Sequence, residues 1–411
     1  MDQIVSRLHS GVLLAYRHIS SPVAYCALSI KAGTRDEETS QAGIAHFTEH
    51  MLFKGTQRRS ALSVNGYLEK LGGEINAYTT KEETVIHATV LKEDISKAID
   101  LISDLAFNAL FPQKEADKER GVILEEISSY KDTPAELIFE DFDEMIFGEH
   151  PLSIPILGFP KSVKKIDSVK LAEFRNRHYI LPKMSFSIVA DIDFKRAATL
   201  VDKYFKGQNN RLFDLPLKSD RGVFHDGVTE RERVVSRKTF QAHCVTGSLS
   251  YSYYDPKRYA AALITNMLGG PALNSRLNTL LREKHALAYS VDASNNSFTD
   301  TGLFSVYFGT DKNNIDKCLN LVKGEFLKLA NDGITPSKLK AAKKQLLGQL
   351  AIASDNAEAQ CLNMGKSLLV FGRVDTIEEI RSKIESISAG DVLNVAGELF
   401  DPSRLFTIIY K

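Results

Sequence analysis

Residues 43–56 read GIAHFTEHMLFKGT, and within them His46 and His50 stand four positions apart with Glu49 between them. A glycine opens the stretch, Lys54-Gly55 closes it, and the apolar residues between recur at helical spacing, which predicts a short helix. Thr39 or Ser40 is the expected N-cap, and Gly55 is suited to a left-handed end. Residues four apart on a helix share a face with Cβ atoms about 5–6 Å apart, so both imidazoles can offer a nitrogen to one ion. Glu49 lies beside that face, within reach of a water on the ion without being a ligand itself. The order HxxEH inverts the HExxH motif of metallopeptidases. Two histidines on the polar side of an amphipathic helix meet the same spacing, so the metal reading needs a third protein ligand and an open fourth position.

Candidates stand in residues 117–130, DKERGVILEEISSY, where helical periodicity runs from about 114 to 130. Glu119 and Glu126 are seven apart, about two turns, and share a face, whereas Glu125 is rotated by roughly 100°. Solvated helices also carry such carboxylate pairs, so spacing alone leaves both readings open.

Outward from these helices, residues 11–33, GVLLAYRHISSPVAYCALSIKAG, alternate β-rich runs around a Ser-Ser-Pro turn and read as a hairpin. A helix is expected over Ala61 to Leu71, then a Gly72-Gly73 turn, then a second hairpin in EINAYTTKEETVIHATV, residues 74–90. Helical spacing returns over 93–108. Helices interspersed with hairpins predict an α+β fold of mainly antiparallel sheets packed with helices.

Residues 207–232 are polar, contain Gly, Asn and Pro, and lack either period, which marks a boundary. The expected division is therefore 1–207, a linker at 208–232, and 233–411. The second part echoes the first: QAHCVTGSLS (241–250) precedes a helix in PKRYAAALITNMLGG (256–270), with Cys244 placed like Cys26. That echo predicts two similar αβ domains, the second without a ligand set at the place of HFTEH.

The 411 residues are 43% apolar, enough for a core in each domain. Fifty-two basic residues balance fifty-two acidic ones, so overall charge gives no reason to expect nucleic acid or an anionic membrane as partner. No run reaches the roughly 18 apolar residues of a membrane span, and the first residues lack a signal-peptide pattern, so a cytoplasmic protein is expected. The four cysteines, Cys26, Cys244, Cys318 and Cys361, are widely spaced without a CxxC pair, which predicts buried thiols. His87 and His150 do not fit the metal spacing and read as structural.

Four stretches in order, GIAHFTEHMLFKGT, GGEINAYTTKEET (72–84), ERGVILEEI (119–127) and SRLNTLLREKHALAYSV (275–291), resemble the pitrilysin-type zinc metallopeptidases. This M16 or inverzincin family includes the mitochondrial processing peptidases. The resemblance implies Zn2+ held by His46, His50 and Glu126, with Glu49 as general base and Glu119 behind the ligands. It further implies that Asn76, Ala77 and Tyr78 form an edge strand aligning the substrate backbone, and that Arg282 and Tyr289 reach substrate near the scissile bond. Two departures stand out: Ala286 replaces a common glycine before the Leu-x-Tyr of the motif, and Ser10 stands where an Asn-Gly turn is usual.

In that family four similar halves form a clam-like chamber, so a chain with two halves is expected to pair as a homodimer, or as a heterodimer with a sister chain. The expected activity is a zinc endopeptidase acting on short or unfolded peptides. The competing reading is a non-catalytic or partner-dependent subunit, a class that typically loses ligands this chain keeps. A small-molecule lyase with HxxEH is a third, but such chains are much shorter and lack the Arg-Tyr half.

Overall fold

The structure, a computed structural model, describes residues 3–208 and 230–411. The expected linker at 208–232 lies almost wholly outside the described residues. The chain forms two compact units, each described here by itself.

The first unit comprises the described parts of Met1–Ser128, Ile154–Lys218 and Ile352–Thr376. Its six strands are β1 (Gln3–Arg7), β2 (Leu13–His18), β3 (Val23–Ile30), β4 (Glu74–Thr79), β5 (Thr84–Leu91) and β6 (Met184–Ala190). They are ordered β1-β2-β6-β3-β5-β4. All neighbours are antiparallel except β2 and β6. The hairpin expected over 11–33 is therefore not one, because β6 separates β2 from β3. The four residues between them span at most about 14 Å, enough to step over a strand at about 4.8 Å spacing. Every residue of β6 is buried, as befits a strand inserted at the centre of a sheet.

The second unit comprises the described parts of Ser129–Ser153, Ser219–Ala351 and Ile377–Lys411. Its strands β7 (Glu232–Val235), β8 (Ala242–Ser250), β9 (Ala288–Ser297), β10 (Gly302–Thr310) and β11 (Phe406–Tyr410) are ordered β7-β11-β8-β10-β9. Only β7 and β11 run parallel.

One face of the first sheet packs against Ile44–Leu52, Ile95–Asn108, Ser168–His178 and Phe194–Phe205, through residues such as Phe47, Ile99, Phe174 and Val201. The other is covered by Ala357–Phe371, whose Cys361, Met364 and Leu368 meet Ala15, Ala27 and Val189. The second sheet has the same two-sided cover. Arg258–Gly269, Ile315–Asp332 and Ala389–Leu399 lie on one face. Pro134–Phe147 lies on the other, with Ile138 and Phe142 against Val245 and Phe406. Each covering helix thus comes from a segment that lies, in sequence, among the elements of the other unit. All four cysteines are buried and free. Among the described residues no helix is long and apolar enough to cross a membrane.

Candidate metal centre

The HFTEH helix, Ile44–Leu52, buries Ile44, Phe47, Met51 and Leu52 and leaves the two histidines and Glu49 half-buried on its other side. Its start differs from the expectation. Thr39–Gln41 forms a 3-10 turn of its own, and Gly43 occupies the N-cap with φ 93°. A Cβ on Gly43 would come within 2.6 Å of the Leu157 carbonyl oxygen, so both the backbone angle and the close approach call for glycine. Two of the N–H groups at the start of the helix are met by Glu37, whose carboxylate accepts from Gly43 N at 2.8 Å and Ala45 N at 2.7 Å. Burial pushes the Glu37 carboxyl up to about 8 despite these two donors.

His46 Nε2 and His50 Nε2 stand 3.2 Å apart, and Glu126 Oε2 lies 3.8 Å from His50 Nε2. Among the described residues His46, His50 and Glu126 form the one group of three potential ligands, with their donor atoms all within 4.8 Å of one another. Tetrahedral ligands at about 2.1 Å from an ion are about 3.4 Å apart, so these separations suit zinc. Among the described residues the buried Oε2 of Glu126 and Nδ1 of His46 find no hydrogen-bond partner. Burial, and the neighbouring His50, push His46 down to about 3 and hold it as the neutral imidazole that a metal needs.

The helix Gln113–Lys131 supplies both expected carboxylates and exposes Glu125. Glu119 is buried and accepts from His50 Nδ1 at 3.0 Å, which leaves His50 Nε2 facing His46. Lys54 Nζ holds the other Glu119 oxygen at 2.6 Å. Glu49 accepts a hydrogen bond from Thr79 Oγ1 at 3.0 Å. Burial, with a contribution from Glu126, pushes Glu49 up to about 7, while His50 and Thr79 pull it back.

Thr79 ends β4, the outer strand of its sheet, which also carries Asn76, Ala77 and Tyr78. Alternation places Ile75, Ala77 and Thr79 on the face toward the HFTEH helix, and Tyr78 packs edge-on against His87 on the opposite face. Arg282 and Tyr289 belong to the second unit. Arg282 lies in a π-helical turn, Asn278–Lys284, and Tyr289 near the start of β9 is exposed. His87 pairs with Glu358 at 3.3 Å and His150 with Asp300 at 3.5 Å, so neither joins the cluster. Glu37, Lys54 and Thr79 join the site without a role expected from the sequence. Only Thr79 carried a usable signal, its place two residues after Ala77 on the same strand face.

A family model described as insulinase, peptidase family M16, matches residues 13–159, and one described as the peptidase M16 inactive domain matches 165–346. An uncharacterized zinc protease of Streptomyces coelicolor is 32% identical over 380 residues, 92% of this chain and 82% of the relative. The chain belongs to peptidase family M16. A further relative, the uncharacterized zinc protease YmxG of Bacillus subtilis, is 29% identical over 385 residues, 92% of this chain and 91% of its own. The fold is likewise that of a solved M16 structure. A peptidase M16 inactive domain from Pseudomonas fluorescens superposes with TM-score 0.91 at 18% identity, over 100% of this chain and 98% of that one. A protease from Helicobacter pylori gives 0.89 at 18% identity, over 100% and 99%.

Proposed function

We propose that the chain is a zinc-dependent endopeptidase that hydrolyses short or unfolded peptides. The observation that carries this reading is the convergence of His46, His50 and Glu126 beside a half-buried Glu49. Relatives named as zinc proteases support the choice of metal. Zinc in such a site supplies a water of lowered pKa and polarises the peptide carbonyl. His50 is oriented by Glu119, and Glu119 in turn by Lys54. Glu49 takes the water proton and passes it to the leaving nitrogen. The edge of β4 at Asn76, Ala77 and Tyr78, outermost in its sheet among the described residues, receives the substrate as an added strand, so recognition depends on an extended backbone more than on side chains. Arg282 and Tyr289 donate to the carbonyl oxygen as it gains negative charge.

Two chains pair as a homodimer, or one pairs with a sister chain, to enclose the substrate in the cytoplasm, which is why a folded domain is excluded. The test is a quenched-peptide assay with chelator and zinc add-back, run beside metal analysis. Turnover is expected to vanish and return with zinc, and Glu49→Gln to retain the metal while losing about 10²–10⁴-fold in kcat. Bound zinc without turnover by the chain alone selects the partner-dependent subunit instead.

A further inference from the structure

We infer that Thr79 is a positioning residue for Glu49, fixing one oxygen of the base so that the other is free to meet water. The inference rests on the peptidase reading above. Thr79 is buried, and its hydroxyl donates to Glu49 Oε2 at 3.0 Å, so Oε1 is the oxygen left for the reaction. A glutamate side chain has three rotatable bonds and carries up to about 2 kcal/mol of rotamer entropy. A base whose oxygen wanders by an ångström can lose about 100-fold in rate. The helix alone sets only the origin of that side chain; the strand sets its end.

The donor itself is held rigidly. Thr79 is the last residue of β4 and lies opposite Thr84, which hydrogen-bonds to the Ala32 carbonyl at 2.7 Å. The turn that follows is closed by Thr80 N to Glu83 O at 2.8 Å and Glu83 N to Thr80 Oγ1 at 3.1 Å. Its tip is tied to the loop before the HFTEH helix by Thr34 N to Thr80 O at 3.2 Å and Arg35 N to Lys81 O at 2.9 Å. At Gly33 a Cβ would sit 2.5 Å from Glu82 N, so this loop and the tip are in backbone contact. The hydroxyl thus belongs to a frame braced against the same segment that enters the helix.

The same strand carries the edge proposed to take the substrate backbone. A peptide registered on β4 would be registered against Glu49 as well, through the single bond from Thr79. Strand preference does not require this hydroxyl, because valine is as well suited to a strand and nearly the same size. Valine would fill the position and leave Glu49 Oε2 without its donor.

Thr79→Val and Thr79→Ser separate these roles. With zinc content and KM close to those of the parent, Thr79→Val is expected to lose about 10–100-fold in kcat. Thr79→Ser, which keeps the hydroxyl, is expected to recover most of that loss. Crystals of the zinc-loaded proteins are expected to show one Glu49 rotamer in the parent and the serine variant, and several in the valine variant. Unchanged kcat and a single rotamer in Thr79→Val would overturn the inference while leaving the peptidase reading intact. So would a serine variant as impaired as the valine one, since packing would then be the cause. A zinc-loaded parent that cleaves no peptide by itself overturns the reading of this chain as a peptidase on its own, and with it the inference, since Glu49 then makes no proton transfer in this chain for Thr79 to serve.

Discussion

The strands β2, β3, β4, β5 and β6 of the first unit and β7, β8, β9, β10 and β11 of the second have the same order, the same directions and the same single parallel pair. The likeness extends to the helices. Each sheet's innermost hairpin strand, β5 or β10, is followed by a 3-10 turn and a long helix, Ile95–Asn108 or Ile315–Asp332. Yet the helix after β3 reads IAHFTEHML, and the helix after β8 reads RYAAALITNMLG, with no histidine or carboxylate. Fold and chemistry are therefore separable here: the shared scaffold fixes where a helix lies, and a few side chains decide whether it can hold an ion. The description of residues 165–346 as an inactive domain agrees with that difference.

The largest effect that can break this comparison is on the metal. If zinc is held by the first unit alone, His50→Ala is expected to abolish binding, with no residual site in the second unit. Glu119→Gln, which loosens the orientation of His50 but removes no ligand, is expected to weaken zinc by about 10–100-fold. Chelator competition and metal analysis check both. Zinc retained at full affinity by His50→Ala would place it elsewhere and end the distinction between the two helices.

Much of this site was legible because it is local. His46, Glu49 and His50 lie within five residues, and Glu119 and Glu126 repeat at the helical period, so two short patterns name the cluster once a metal is supposed. The failures were non-local. A strand 150 residues downstream, β6, splits what looked like a hairpin, and no feature of residues 11–33 announces that partner. The covering helices Pro134–Phe147 and Ala357–Phe371 cross the sequence division for the same reason: their apolar faces fix that they are buried, not against which sheet. Glu37 was hidden by a local rule, since Thr39 and Ser40 are better N-cap types but the chain makes a separate turn there.

Glu37 sharpens the comparison at the next level down. At the helix Arg258–Gly269 the Asp255 carboxylate accepts from one N–H, that of the N-cap Lys257 at 2.8 Å, whereas at the HFTEH helix Glu37 accepts from two, Gly43 N and Ala45 N. Glu37→Ala is expected to destabilise the metal-free first unit by about 1–2 kcal/mol, read by chemical denaturation. The pH dependence follows from its burial. The unfolded carboxyl releases its proton near the ordinary 4.5 and the folded one near 8. Across that interval the folded state binds the extra proton, so the stability from this group is complete below about 4.5 and is lost as pH rises through about 8. The melting temperature of the metal-free protein should fall between pH 5 and 8.5, and Glu37→Gln should flatten that slope. An equal slope in the variant would assign the dependence to other groups.

The smallest expected effect lies at the turn before β4 and its counterpart before β9. Two residues ahead of β4 stands Gly72 with φ 74°, and two residues ahead of β9 stands Ala286 with φ 50°. The turns are related but the second holds one more residue: Gly72 N donates to Glu69 O, three residues back, at 2.9 Å, and Ala286 N to Arg282 O, four back, at 3.1 Å, while Gly73 N reaches Leu68 O, five back, and Leu287 N reaches Leu281 O, six back. The first unit meets the left-handed angle with glycine; the second meets it with a residue whose Cβ crowds the following carbonyl. That crowding costs roughly 1–2 kcal/mol, and glycine gives back part of the gain through its freer unfolded chain. Ala286→Gly is therefore expected to stabilise the second unit by about 0.5–1 kcal/mol, and Ala286→Val, which is β-branched, to destabilise it by more. The matching change in the first unit, Gly72→Ala, should cost about what Ala286→Gly gains, because no described residue beyond its chain neighbours lies within 4 Å of a Cβ at Gly72 and the left-handed angle is then the cost. If the two substitutions do not mirror one another, the extra residue of the second turn, which follows the π-helical turn Asn278–Lys284, must be what sets the angle at Ala286.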